Sequence, residues 1–322
     1  MSFIKVVECP RDAMQGFKTW IPSEDKIDYI QSILSVGFDV VDFGSFVSHR
    51  AVPQMKDTHY VLDNLDLSKT NSKLLSIVAN LRGAKEACGF PQIDYLGYPF
   101  SISENFQMRN TNKSINESVV ELNQIMEICH KSQKELVIYL SMGFGNPYGD
   151  PWNYEIVQKW IDLLNNMCIK TISISDTIGA AKKNDISNVY SSVVVDYPDV
   201  EFGAHFHTNA DDWFDKIDSA YNAGCFRFDS AIQGFGGCPM AKDELTGNFP
   251  TEKLISYFNS KKVPLNLNSL NFESSYNFAT KIFSTPKFIS VETSSKLFIP
   301  PPYDIGIKAS SAKLWIKSKS IL

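Results

Sequence analysis

The chain has 322 residues, 43% of them hydrophobic, and a formal net charge of −5. That length suits one (β/α)8 barrel with an extension or two ordinary domains, so the pattern along the chain has to decide. The acidic balance argues against nucleic acid as the main partner, because phosphate binding needs concentrated Lys and Arg, and no apolar run approaches the ~18 residues of a membrane span.

The first residues, Met1-Ser2-Phe3-Ile4-Lys5, run directly into a strand-like segment with no cationic lead and apolar stretch, so no secretory signal is expected. The six cysteines, at 9, 88, 129, 168, 225 and 238, form no C-x-x-C pair. A cytoplasmic protein with reduced thiols is the expectation, with most of these cysteines as small buried apolar residues. Short β-rich runs at 4–7, 40–43, 74–79, 93–97, 136–141, 171–173, 202–204 and 227–229 predict eight strands. Between them lie helical spacings. Ile27, Ile30 and Leu34 follow an N-cap at Ser23 and precede a C′ residue at Gly37. Ile156, Trp160 and Leu163 repeat in the same way, as do Trp213, Ile217 and Ala220, and residues 251–258 form a further helix. Strand–helix alternation means parallel strands with helical crossovers, and eight strands close a barrel. A doubly wound open sheet ranks second, because the first strand leads into Glu8-Cys9-Pro10-Arg11-Asp12 and not into a Gly-rich phosphate turn. The expected organisation is a (β/α)8 catalytic barrel over residues 1–285 and a C-terminal extension over 286–322, packed on the barrel or partly exposed. The extension contains Ile299-Pro300-Pro301-Pro302-Tyr303, where proline forbids helix, and carries a lone Trp315.

Polar and ionisable groups recur at or just after the predicted strands: Arg11 and Asp12 after the first, Asp42 within the second with Ser45 following, Asp176 after the sixth, and His205 and His207 after the seventh. After the eighth strand comes Gly234-Phe235-Gly236-Gly237-Cys238-Pro239, and further on Gly247-Asn248. A barrel gathers such loops at the C-terminal ends of its strands. His205-Phe206-His207 is the most informative piece. Residues at i and i+2 of a strand face the same side, so two imidazoles can share one ion, and the chain has only five histidines. Taken alone, the pair is as compatible with a satisfied polar pair as with metal binding. Asp12 and Asn248 would add oxygen ligands, giving a nitrogen–oxygen set without thiolate that suits one Mg²⁺ or Mn²⁺; zinc also fits the ligand types. Arg11 could be a surface ion pair of little worth, but at a strand end its guanidinium suits a developing enolate or carboxylate. Cys238 on a glycine-rich loop suits proton transfer, and the glycines would let that loop close over a substrate.

These motifs together resemble the 3-hydroxy-3-methylglutaryl-CoA lyase family, within the metal-dependent barrels that include isopropylmalate and homocitrate synthases and 4-hydroxy-2-oxovalerate aldolase. The resemblance runs from about Ile4 to about residue 285. It rests on Pro10-Arg11-Asp12 with Gln15, on Asp42-Phe43-Gly44-Ser45-Phe46-Val47-Ser48 with Val52-Pro53-Gln54-Met55, and on Tyr139 through Gly145-Asn146-Pro147-Tyr148. It continues in Ser175-Asp176-Thr177-Ile178-Gly179, and in Asp229-Ser230 through Gly236-Gly237-Cys238-Pro239 to Gly247-Asn248. The cysteine loop favours the lyase branch over the synthases. The resemblance implies metal ligation by Asp12, His205, His207 and Asn248, and enolate stabilisation by Arg11. It also implies proton transfer by Cys238, site-organising carboxylates at Asp42 and Asp176, and substrate contacts at Arg11, Gln15, Tyr139 and Gly237.

The implied reaction is a retro-Claisen cleavage of a hydroxymethylglutaryl-CoA-like thioester to acetyl-CoA and acetoacetate, with His205 as the candidate base. The partner would be an acyl-CoA or hydroxy-acid substrate, and a homodimer fits the resemblance. An aldolase or condensing synthase with the same ligands is the second reading. A ligand-binding homologue without turnover is the third, and a His-x-His metallohydrolase the fourth. The chain departs from the lyases at several points. Asp42 stands where they carry Glu, and this shorter carboxylate is expected to fall short of its partner or to reach it through water. The first motif is one residue shorter, with Ala13-Met14 for Gly-Leu. Thr208-Asn209 replaces Asp-Thr, Asn146 replaces a cysteine, and the loop between Cys238 and Asn248 is one residue longer.

Overall fold

β-branched and aromatic runs, each bounded by polar stretches, fold as eight parallel strands in a computed structural model that describes residues 3–237 and 246–284. They are β1 (Lys5–Glu8), β2 (Val40–Ser45), β3 (Lys73–Ile77), β4 (Tyr95–Ser101), β5 (Glu135–Ser141), β6 (Thr171–Asp176), β7 (Glu201–Phe206) and β8 (Arg227–Ser230). Each pairs with the next, and β8 pairs back on β1 from Lys5↔Arg227 to Glu8↔Ser230, which closes the barrel. The barrel belongs to a unit that ends at Thr285. The extension expected after residue 285 lies outside the described residues.

The eight strands fall where the sequence places them, with shifted ends. The largest shift is at β4, which runs on to Ser101 through Pro99. A proline inside a strand removes a ladder donor. Here the loss costs nothing: Gly97 O accepts from Val78 N on the β3 side, and Pro99 faces that side beyond the last β3 pair, Ile77↔Gly97. β2 carries an irregularity between Asp42 and Gly44. Such bulges re-aim side chains beside functional sites.

The barrel interior holds Val7, Cys9, Val40, Leu75, Val137 and Tyr139. At the strand N-termini Arg227, 1% exposed, pairs with Glu201 at 3.2 Å, and Lys5 pairs with Glu201 at 2.6 Å. Outside the barrel, the helix Ser23–Leu34 buries Ile27, Ile30 and Leu34 as expected. Its cap differs from the expectation: Pro22 holds the N-cap position, and Ser23, the first helical residue, donates its hydroxyl to Asp57 at 2.6 Å. Ser35 caps the other end, and Gly37 takes φ 92° two residues later. The helix Tyr154–Asn166 buries Val157, Ile161 and Leu164 rather than the expected Ile156, Trp160 and Leu163. Those three flank the buried stripe, and Trp160 meets Phe100 edge-on at 5.5 Å. The cysteines are mixed: Cys9, Cys129 and Cys225 are buried as expected, Cys88 is half-buried, and Cys168 is exposed at φ 63°.

Glu8 ends β1 fully buried, accepting from Ile232 N at 2.8 Å and Thr251 Oγ1 at 2.6 Å. Burial outweighs these bonds and pushes its carboxyl up from 4.5 to about 8. The folded state therefore holds a proton that the unfolded chain releases between those values. Stability is fully present below 4.5 and falls as pH rises toward 8. Glu8→Gln keeps the polar shape without the charge. Thermal melting of the two proteins across this range is expected to show a flatter pH slope for the variant and a higher Tm than wild type at pH 8. Identical slopes would remove Glu8 as the cause.

Candidate metal centre at the barrel mouth

β1 passes through Cys9 into a short helix, Pro10–Gln15, rather than the loop expected there. Proline suits the first helical turn because its missing N–H has no partner to lose. That turn buries Arg11 and Asp12 at 7% and 4% exposure, at the C-terminal end of the barrel. Arg11 Nε lies 3.2 and 3.0 Å from the two Asp42 oxygens, and its Nη2 lies 2.5 Å from Oδ2. The shorter carboxylate of Asp42 thus reaches the guanidinium directly, contrary to the expectation that it falls short or needs a bridging water. Arg11 Nη1 donates to Asp12 Oδ1 at 3.1 Å and to Gln15 Oε1 at 2.9 Å, and Gln15 Nε2 also donates to Asp12 Oδ1.

His205 lies within β7 and His207 one residue past its end, with ring centroids 5.5 Å apart. His205 Nδ1 sits 3.1 Å from Asp229 Oδ2, and His207 Nδ1 sits 3.1 Å from Thr246 O. A carboxylate and a carbonyl can only accept, so each Nδ1 carries the proton when the ring is neutral and each Nε2 keeps its lone pair. Donor atoms of Asp12, His205 and His207 lie within 4.8 Å of one another. Asp12 Oδ2, 4.0 Å from His205 Nε2, is buried and has no hydrogen-bond partner among the described residues. An orphaned buried carboxylate oxygen facing imidazole lone pairs is costly unless a cation satisfies it. The donor set therefore fits a divalent ion.

Asn248 joins this group through an antiparallel bridge to His207, while its side-chain amide donates to Phe235 O at 2.9 Å. The glycine loop presses against the same residues. A Cβ on Gly236, at φ 97°, would stand 2.5 Å from Asp12 O and 2.7 Å from Asn248 Nδ2, so only glycine permits the approach. Cys238 lies outside the described residues.

The protonation states of Asp12 and His207 suit ligation, whereas an ion has to displace a proton from His205. Burial pushes the Asp12 carboxyl up, but Arg11 and both imidazoles outweigh it and hold it below the usual carboxylate range. Burial and the neighbouring His205 push His207 down to about 4, which keeps it neutral at pH 7, as a ligand must be. Burial disfavours His205⁺, but the hydrogen bond and charge of Asp229 prevail and raise it. Burial raises Asp42 to about 6 against the pull of Arg11.

Asp176 ends β6 instead of following it. Its carboxylate accepts from Ala180 N at 2.8 Å, Ala181 N at 3.1 Å and Lys216 Nζ at 2.8 Å. Lys216, 1% exposed, also donates to His207 O at 2.9 Å, so the pair pins the backbone of a candidate ligand. Asp229 and Lys216 carry no motif of their own, and their pairings span 24 and 40 residues. No spacing rule could have found them.

A cavity of about 420 Å³ opens over this group, lined among others by Arg11, Gln15, Tyr139, His205, His207 and Arg109. The Tyr139 ring meets His205 edge-on at 5.3 Å. Gly237 is not part of the lining. Ser45, Val47 and Ser48 are shared with a second hollow of about 650 Å³ that carries Arg50, Lys56 and Arg82.

A closed parallel barrel with a buried carboxylate and two imidazoles converging at its C-terminal mouth has the frame of a metal-assisted barrel enzyme. The chain belongs to the HMGL-like family, which matches residues 4–278. The hydroxymethylglutaryl-CoA lyase YngG of Bacillus subtilis is 29% identical over 80% of this chain and 85% of its own length. The rat cytoplasmic 3-hydroxy-3-methylglutaryl-CoA lyase is 31% identical over 80% and 74%. Among solved structures, an HMG-CoA lyase from Acinetobacter baumannii in complex with coenzyme A and 3-methylmalate superposes with TM-score 0.82 at 25% identity, covering 92% of this chain and 98% of that one. The B. subtilis HMG-CoA lyase gives TM-score 0.80 at 28% identity over 87% and 93%. The chain is a lyase-class enzyme. Relatives are named for different compartments, cytoplasmic in rat and mitochondrial in Arabidopsis thaliana. Among the described residues no helix is long and apolar enough to cross a membrane.

Proposed function

We propose that this chain is a divalent-metal-dependent carbon–carbon lyase that cleaves a 3-hydroxy-3-methylglutaryl-CoA-like thioester to acetyl-CoA and a 3-oxo acid. One observation carries the reading: Asp12 Oδ2, buried and unpartnered, faces two imidazoles beside a buried Arg11. The family supports the substrate class, since its relatives are named for this thioester. A Pseudomonas aeruginosa relative is named for the isohexenyl analogue as well, so the acyl branch varies within the family.

Asp12, His205, His207 and Asn248 would hold Mg²⁺ or Mn²⁺, with zinc also compatible with these donors. A bound ion would supply Lewis acidity at the substrate's tertiary hydroxyl. His205 Nε2 would accept the hydroxyl proton, and Asp229 at Nδ1 would stabilise the imidazolium that results. The carbon–carbon bond then breaks, leaving acetoacetate and a thioester enolate. Asp42, Asp12 and Gln15 engage four of the five guanidinium hydrogens of Arg11, which leaves one Nη2 hydrogen for the enolate oxygen. Cys238, by its place in the lyase motif, returns a proton to the enolate carbon. Arg109 and the hollow bearing Arg50, Lys56 and Arg82 offer cations to the anionic carrier of the thioester.

The test incubates purified protein with hydroxymethylglutaryl-CoA, a panel of other 3-hydroxyacyl-CoAs, and 2-oxo acids with acetyl-CoA. Cleavage of a 3-hydroxyacyl-CoA is expected, abolished by chelation and restored by Mg²⁺ or Mn²⁺. Turnover confined to the 2-oxo acids would assign the site to an aldolase or synthase, and chelator-resistant cleavage would remove the metal.

A further inference from the structure

His205 faces two clusters. Its Nε2 looks toward Asp12, while Nδ1 lies 3.1 Å from Asp229 Oδ2 on the inner side of the ring. Cys9 completes the inner group: donor atoms of Cys9, His205 and Asp229 lie within 4.8 Å of one another. Cys9 and Asp229 are 1% and 3% exposed. Asp229 Oδ1 is buried with no hydrogen-bond partner among the described residues, and so is the Tyr139 hydroxyl. Among the described residues the thiol's hydrogen bonding is limited to a long 3.8 Å contact to Val7 O. Val7, Val40, Leu75 and Val137 form the apolar wall around it.

We propose that Cys9, His205 and Asp229 form a second metal site, selective for thiophilic divalent cations such as Zn²⁺ or Cd²⁺, whose occupation excludes the ion at the barrel mouth. Selectivity follows from the donors. Thiolate, imidazole and carboxylate match zinc-like ions, whereas Mg²⁺ ignores sulfur. One thiolate and one carboxylate match a divalent charge, and because burial and the carboxylates of Asp229, Asp42 and Asp12 push the Cys9 thiol up, the ion itself has to displace the thiol proton. Exclusion follows from the ring itself. A neutral imidazole has one lone pair and one N–H. While Nδ1–H donates to Asp229, the Nε2 lone pair serves the mouth. An ion on Nδ1 moves that proton to Nε2, and the thiol proton leaves to solvent. Nε2 then has nothing to offer a second ion. Trace zinc would thereby silence an enzyme that runs on Mg²⁺ or Mn²⁺.

The test titrates Cd²⁺ into Mg²⁺-loaded full-length protein and into its Cys9→Ser and Cys9→Ala variants. The readouts are the ultraviolet thiolate-to-Cd²⁺ charge-transfer band and, separately, the cleavage rate. Wild type is expected to show a band amplitude one site larger than either variant, with inhibition in step. The variants should keep the Mg²⁺ rate and need about ten-fold more Cd²⁺ or higher for equal inhibition, as befits a missing ligand. Equal bands and equal sensitivity in all three proteins would overturn the proposal. The band needs no turnover, so this result is separable from a chain that cleaves no thioester. Anomalous scattering from Cd²⁺-soaked wild-type crystals decides without any variant. A peak between Cys9 Sγ and Asp229 supports the site, and Cd²⁺ confined to the mouth or to other thiols refutes it.

Discussion

Asp12→Asn is expected to lower kcat/KM at least about 100-fold and to abolish tight divalent-ion binding, while the protein still folds. Replacing groups that merely support metal ligands costs about 10–100-fold, so losing a charged ligand sets a higher floor. The amide is isosteric and can still accept from Arg11 and Gln15 through Oδ1. What it removes is the negative charge on Oδ2, the orphaned oxygen that faces both imidazoles. Steady-state kinetics with Mn²⁺ and a direct binding titration check the two effects together. A folded variant with near wild-type rate and affinity would place the cation elsewhere.

Arg11→Lys is expected to lower kcat by about 10²–10³-fold with a small change in KM, the loss typical of one preorganised oxyanion donor. A guanidinium can span Asp42, Asp12 and Gln15 at once and still aim one hydrogen at a developing oxyanion, whereas an ammonium is a single point with three donors. The lysine variant would satisfy part of the acidic pocket and lose the aim. Pre-steady-state measurement of the cleavage step separates this from slow product release. A variant within a few-fold of wild type would show that Arg11 is a structural ion-pair partner of Asp42 and does not act on the enolate.

Much of the barrel was legible because each strand is an apolar run bounded by polar residues, and that contrast survives without tertiary information. The ends were less legible. β6 and β7 run past the expected 173 and 204 to Asp176 and Phe206, because the polar Ser173, Ser175 and His205 near their expected ends are strand residues buried or half-buried around the barrel mouth. β4 continues through Pro99 because its ladder has already parted from β3 on that side. The helix Tyr154–Asn166 shows the limit of counting apolar positions. Its apolar arc is wide enough to be read in two registers one residue apart, and packing selects Val157, Ile161 and Leu164.

At the site, the candidate ligand types were visible in His205-Phe206-His207 and in Arg11-Asp12, since local spacing alone sets which of those side chains can share a direction. The groups that tune them were not. Asp229 selects the tautomer of His205, and Lys216 ties Asp176 to the backbone of His207, through contacts that exist only once β6, β7 and β8 are adjacent. Cys9 read as a packing thiol for the same reason. Its neighbour on the adjoining strand β8, Asp229, is far away in sequence.

The most direct measurement is a crystal structure of the protein soaked with Mn²⁺, with anomalous scattering recorded to locate the ion. The expected result is one Mn²⁺ per chain touching Asp12 Oδ2, the Nε2 atoms of His205 and His207, and the side-chain oxygen of Asn248. A well-ordered map in which Mn²⁺ is absent from this mouth, or bound by other residues, contradicts it.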